Sequence, residues 1–381
     1  MGLKDSPLPL LDLNRQHKSL KPRLEAAFAR VMARGSFILG PEVRSFEEEF
    51  SRFCGTRFGV GVASGTDALE LALRALEIGP GDLVATVSFT FCATVDAIHH
   101  VGARPLFIDI DPNSFTMDPS DLQRKIKGLS SSLRRKLKVV LPVHLYGHPC
   151  NMTAIRATAN RYSLAVIEDA AQAAGARWNG RPVGSLGDAG CFSFFPSKTL
   201  GGFGDGGMVT TNSKTLAAKL RLLRVHGRRD RENQILLGGR NSRLDELQAA
   251  MLRVKLSLFR RWIDKRQILA KAYKDRLSRV QGVQCPLSLR AGRHAYCLYV
   301  IRLKNRDPVR ERLSRQGIRT EVYYSVPVHR QPAYGTQYLS SRLPETDRAS
   351  KEVLSLPFFP ELRMDEVARV CRAIAKGVRP L

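Results

Sequence analysis

Phe192-Ser193-Phe194-Phe195-Pro196-Ser197-Lys198, followed by Gly201-Gly202-Phe203-Gly204-Asp205-Gly206-Gly207, is the stretch from which the rest of the chain is read. An aromatic run ends in a lysine, and a glycine-rich loop follows it. Upstream, the apolar run Leu164-Ala165-Val166-Ile167 leads into Glu168-Asp169. A lysine in a tight loop and a carboxylate at a strand end are what pyridoxal 5'-phosphate (PLP) needs. The amine holds the cofactor aldehyde as a Schiff base, and Asp169 keeps the pyridine nitrogen protonated. The plain alternative makes Lys198 a surface residue and leaves Asp169 buried without a cation, which is costly.

Outward from this pair, short apolar runs alternate with helical patterns. Strands are expected at Phe58–Ala63, Leu83–Val87, Pro105–Ile110, Val139–Val143, Leu164–Glu168, Ala189–Phe194 and Met208–Thr211. Helices are expected between them, after an opening helix over Leu20–Arg34 and a second after Gly40-Pro41. Buried strands separated by helices indicate an α/β fold, a mainly parallel sheet covered on both faces. From Asn241 the pattern changes to a long helix over Leu244–Leu277, then strands at Tyr296–Leu303 and Arg319–Tyr324 with short helices. The expected division is a large N-terminal domain over 1–250 and a smaller α+β domain over 251–381.

Several residues suit a cofactor site at the strand ends. Ser64-Gly65-Thr66 opens a helix after the first strand, where backbone N–H groups and the helix dipole favour a phosphate. Alone, it reads as an ordinary helix cap; Lys198 and Asp169 turn the reading to the phosphate. Phe91 can stack on a pyridine face, Gln172 can reach a phenolic oxygen, and Ser193 can add a phosphate contact. Phe91 taken singly would read as core, and Ser193 as a strand-end serine. Gly202-x-Gly204-x-x-Gly207 formally matches a dinucleotide fingerprint. It neither follows the first strand of a βαβ unit nor opens a helix, so it is set aside.

Composition narrows the class. At 381 residues and 43% hydrophobic, the chain can bury a sizeable core. No apolar run approaches the ~20 residues of a membrane span. The seven cysteines are scattered without a C-x-x-C pair. That argues against a disulfide framework or metal site and for a reducing cytoplasm. Net charge is +26, from 61 Lys and Arg against 35 Asp and Glu. The basic residues are spread over several solvated-looking faces with no aromatic interleaving, so a nucleic-acid partner is not the expected one.

The combined motifs resemble the DegT/StrS family of PLP-dependent nucleotide-sugar aminotransferases. The matching stretches run in order along the chain. They include Phe37–Glu42, Ala63–Leu69, Val143–Gly147, Ile167–Gln172, Phe192–Asp205, Asn241–Ala250, Val326–His329 and Leu354–Pro357. The resemblance implies fold type I, a three-layer αβα arrangement around a seven-stranded sheet. It also implies a homodimer with shared active sites, in which Asn241 reaches the cofactor phosphate of the partner subunit. Arg243, Tyr324 and His329 match positions near the sugar-nucleotide site.

The implied reaction is a two-half transamination with L-glutamate as amino donor and Lys198 as the proton-moving base and acid. Lysine at 198 argues against the family's dehydratase branch, which has histidine there. Phe194–Lys198 and the Val225-His226-Gly227 turn look most like the branch acting on 3-keto sugars linked to UDP or dTDP, for lipopolysaccharide or another surface glycan. Tyr323-Tyr324-Ser325 departs from the His-Tyr-Pro of many relatives, which puts a uronic-acid substrate in question. A 4-aminotransferase, an aminocyclitol enzyme and a non-catalytic PLP-binding regulator are the alternatives.

Overall fold

The computed structural model describes residues 7–230, 232–289 and 292–378. The chain opens with two helices, α1 (Leu13–Arg34) and α2 (Pro41–Cys54). Strands and helices then alternate: β1 (Phe58–Val62), α3 (Gly65–Ala75), β2 (Leu83–Val87), α4 (Ala93–His100), β3 (Arg104–Ile108), α5 (Pro119–Gly128), α6 (Ser131–Lys136), β4 (Leu137–Leu141), α7 (Met152–Arg161) and β5 (Ala165–Asp169). Two short strands, β6 (Arg177–Trp178) and β7 (Arg181–Pro182), precede β8 (Ala189–Ser193), β9 (Gly207–Thr211) and α8 (Lys214–Leu223). The long α9 (Glu246–Leu277) leads into β10 (Val283–Gln284), β11 (Gly292–Arg293), β12 (Tyr299–Leu303), α10 (Arg306–Arg315), α11 (Pro344–Glu352), β13 (Val353–Leu356) and α12 (Met364–Val378).

The main sheet has seven strands in the order β1-β9-β8-β5-β4-β2-β3. β9 runs antiparallel to both its neighbours, and the other neighbouring pairs are parallel. This is the expected α/β sheet. Its strands are apolar along nearly their whole length because helices cover both faces, burying successive residues alike. A second sheet, β10-β12-β13, backs onto its own apolar cluster, which includes Tyr273, Tyr299, Phe358 and Phe359. α9 serves both cores. Phe259, Trp262 and Ile263 pack under the large sheet, while Leu269, Tyr273 and Leu277 pack under the small one.

Most boundaries fall within three residues of expectation, but two segments differ. α1 begins at Leu13, because Asp12 caps it by accepting a hydrogen bond from the Arg15 amide at 3.2 Å. Pro22 therefore lies inside the helix rather than near its start. Arg319–Tyr324 does not form a strand. It meets the small sheet through the single bridge Glu321–Ser355 and then turns inward. Hydrogen bonds to Tyr323 and Tyr324 from the large core take that segment away from the sheet edge. No helix among the described residues is long and apolar enough to cross a membrane.

Candidate active site

Every strand of the main sheet except β9 points the same way, so their carboxyl ends make one rim, where open α/β sheets present their ligand-binding loops. At the end of β1, Ser64 caps α3 by accepting from the Asp67 amide at 3.0 Å. That leaves the amides of Gly65 and Thr66 as open donors at the positive end of the helix. Gly65 also sets the spacing to β8. A Cβ on Gly65 would stand 2.7 Å from the Ser193 Cβ, so only glycine lets Ser193 approach this closely. The Ser193 hydroxyl accepts from the Phe195 amide at 3.3 Å.

Beyond Ser193 the chain closes a tight loop. The Lys198 amide donates to the Phe195 carbonyl at 2.9 Å and the Gly202 amide to the Phe194 carbonyl at 2.7 Å. Phe194 anchors this loop in the core, edge-on to Phe46 and Phe50 with ring centroids 5.1 Å away in each case. Lys198 itself is half-buried. Among the described residues its amine makes neither a hydrogen bond nor an ion pair.

Asp169 ends β5 and is buried. Its Oδ2 accepts from the Thr94 hydroxyl at 2.7 Å, and its Oδ1 from the Ala171 amide at 3.1 Å. Burial pushes the Asp169 pKa up, while the Thr94 and Ala171 bonds and the charge of Lys198 pull against it; burial prevails. Thr94 is in turn hydrogen-bonded to Thr90 at 2.8 Å. The neighbouring Glu168 is occupied structurally. It accepts from His144 Nε2 at 3.0 Å and from the amides of Gly184, Leu186 and Gly187 at 2.7–2.9 Å.

Gln172 has a fixed orientation. Its Oε1 accepts from the Tyr146 amide at 2.7 Å, so its Nε2 faces the Tyr324 hydroxyl, 3.2 Å away. The Tyr146 hydroxyl donates to the Tyr323 carbonyl and holds that loop in place. Burial pushes the Tyr324 hydroxyl well above its ordinary pKa, so it stays protonated. Phe91 lies beside it with ring centroids 6.3 Å apart, and is 55% exposed at the opening.

Three expected residues remain: Asn241, Arg243 and His329. Asn241 is exposed. Its neighbour Ser242 is buried and ties the segment to the start of α3, accepting from the Ala63 amide at 3.1 Å and donating to Asp67 Oδ2 at 2.6 Å. Arg243 is half-buried and makes no ion pair among the described residues. His329 is not at the opening. Its side chain is fully buried, its Nδ1 is 2.6 Å from the Ser88 hydroxyl, and its ring packs near Phe107.

Sequence reading missed Thr94, Tyr146 and Ser242. Thr90 lies just before α4 and Thr94 in its first turn, with their hydroxyls 2.8 Å apart. Nothing in the sequence shows that Thr94 meets Asp169.

The family model for the DegT/DnrJ/EryC1/StrS aminotransferases matches residues 18–375. A pleiotropic regulatory protein of Geobacillus stearothermophilus is 43% identical, covering 98% of this chain and 99% of the relative. The UDP-N-acetyl-3-dehydro-alpha-D-glucosamine 3-aminotransferase of Acidithiobacillus ferrooxidans is 42% identical, covering 98% of each. Among solved structures, S. venezuelae DesV in complex with a ketimine intermediate superposes with a TM-score of 0.94 at 40% identity, over 99% of this chain and 100% of that one.

Proposed function

The chain belongs to the DegT/DnrJ/EryC1/StrS aminotransferase family, and on that premise we propose that it uses PLP to transfer an amino group from L-glutamate to a keto-sugar nucleotide. The observation that carries the reading is Asp169, a buried carboxylate under the influence of the Lys198 amine, which has no other partner among the described residues. The site suits PLP on three counts. Asp169 offers a charge partner for a protonated ring nitrogen. The open amides of Gly65 and Thr66, with Ser193 beside them, suit a phosphate. Lys198 supplies the amine. Bound there, PLP supplies an aldehyde that takes up amines and a ring that accepts electrons.

The chain's own residues supply the rest. Thr94 and Ala171 favour the ionised form of Asp169 and oppose its burial. Lys198 Nζ would take the proton from the donor's α-carbon. In the second half it delivers a proton to the sugar carbon that receives the nitrogen. Phe91 provides an aromatic face, and the Gln172 Nε2 a donor for the phenolic oxygen. Tyr324 accepts from Gln172 and keeps its own proton to donate to substrate.

Arg243 is the proposed cationic contact to the nucleotide sugar. His329 is proposed to act from behind, by holding Ser88 and the turn that leads to Phe91. Asn241 is proposed to reach the cofactor phosphate in the second subunit of a homodimer, and the cytoplasm is the proposed location. The substrate is taken as a 3-keto sugar, on the strength of the Acidithiobacillus relative and its name.

The test is turnover of the purified chain with PLP, L-glutamate and UDP- and dTDP-linked keto sugars. Formation of 2-oxoglutarate together with a 3-amino sugar is the expected result. Amination confined to 4-keto sugars would displace the 3-keto assignment, and no turnover with any sugar would defeat the reading.

A further inference from the structure

Lys255 lies in the middle of α9 with only 1% of its surface exposed, a rare setting for a lysine. Among the described residues no carboxylate pairs with it. Its Nζ instead donates to the Gly201 carbonyl at 2.7 Å, lies 3.0 Å from His17 Nε2, and stands 4.4 Å from the centre of the Phe203 ring. An ammonium has three protons, and here it has a carbonyl, an imidazole and an aromatic face to receive them. These partners come from α1 and from the glycine loop after Lys198.

The protonation states agree with this geometry. Burial pushes Lys255 down to about 8, with Glu361 opposing from the segment after β13. Burial and the Lys255 charge push His17 down to about 4. At neutral pH a charged amine therefore donates to a neutral ring.

The contact bears on Lys198 because the loop between them is closed. A Cβ on Gly201 would stand 2.2 Å from the Pro196 carbonyl oxygen, so residues 196–201 fold directly onto themselves. A second grip lies two turns earlier on α9, where Gln248 Oε1 accepts from the Phe203 amide at 2.8 Å. Without Lys255 the buried Gly201 carbonyl would lose its donor, and the loop would have to shift to find another.

We propose that Lys255 is a positioning residue for Lys198, pinning Gly201 from α9 so that the glycine loop presents the reacting amine at the rim. The proposal rests on the role given to Lys198 above. The test is amide hydrogen exchange on the cofactor-free protein, comparing wild type with Lys255→Met and Lys255→Arg. Protection over residues 198–204 is expected to fall by roughly tenfold in Lys255→Met and to be largely retained in Lys255→Arg, with β4 and β5 unchanged in both. A Lys255→Met loop that exchanges like wild type overturns the proposal.

Should Lys255→Met fail to fold, His17→Ala reads the same contact from a half-exposed side chain. It is expected to lower loop protection about threefold, and no change there also overturns the proposal. Absorbance with added PLP separates the two readings. A wild type that takes up no PLP counts against Lys198's role. A wild type that loads normally, with a loop indifferent to Lys255, counts against this inference alone.

Discussion

Thr94 donates its hydroxyl proton to Oδ2 of Asp169 across 2.7 Å, joining the first turn of α4 to the end of β5. Burial drives this carboxyl towards its neutral form, and the threonine works against burial. The ionised form of Asp169 is therefore favoured by a residue seventy-five positions away. Thr94→Val should lower kcat by roughly tenfold, the worth of one hydrogen bond to a charged group, while Thr94→Ser keeps most of it. Asp169→Asn removes the charge itself and should cost on the order of a hundredfold or more. Steady-state kinetics on the three variants would check this; a Thr94→Val enzyme as fast as wild type would disconnect the pair.

Gly65 offers a steric test of the phosphate site. The Cβ of Gly65→Ala would press on Ser193 at 2.7 Å, part α3 from β8 and misplace the open amides. Stability should fall by ~1–3 kcal/mol, and PLP should be held more loosely. Equilibrium dialysis against PLP, alongside thermal unfolding, reads both. A variant that is destabilised but binds PLP as before would remove the phosphate from this position.

Two buried histidines should make the fold acid-sensitive. His148 Nδ1 lies 2.9 Å from the Pro149 carbonyl, and its buried Nε2 has no partner among the described residues. Its ring meets that of His294 at 5.1 Å. Burial lowers His148 to about 4, and burial followed by the His148 charge lowers His294 well below its ordinary value. A lowered histidine favours the folded state only while it is neutral. The contribution is thus whole above pH ~6.5 and is lost as pH falls from there towards 4, by ~2 kcal/mol at about pH 5 for His148 alone. Urea midpoints at pH 7 and 5 should show this loss in wild type and less of it in His148→Phe. Equal losses would place the sensitivity elsewhere.

Asn241 tests the second subunit. Ser242 is buried and bonded to the start of α3, yet Asn241 beside it stays exposed. Asn241→Ala should leave stability within ~0.5 kcal/mol and weaken PLP retention in both halves of a dimer. Sedimentation and PLP titration together check it. Unchanged retention would end the cross-subunit role.

The parts legible in the sequence are those where chemistry restricts residue type. Lys198 in its glycine loop, Asp169 at a strand end and Gly65 at a helix start announce themselves because few residues can fill those positions. The parallel sheet was legible because strands covered on both faces are apolar throughout. Contacts made across the fold were not. Thr94 reads as an ordinary helix-start threonine until α4 is seen against β5. His329 sits in a motif, but only packing puts its ring behind Ser88. Arg319–Tyr324 has a strand's composition, and the hydroxyl of Tyr146 together with the amide of Gln172 turns it into the site instead.

The most direct measurement is to load the protein with PLP, reduce it with borohydride and map the modified peptide. The account predicts label on Lys198 alone, and none on that peptide in Lys198→Ala. Label on another lysine, such as the buried Lys255, or a fully active Lys198→Ala protein, would contradict it.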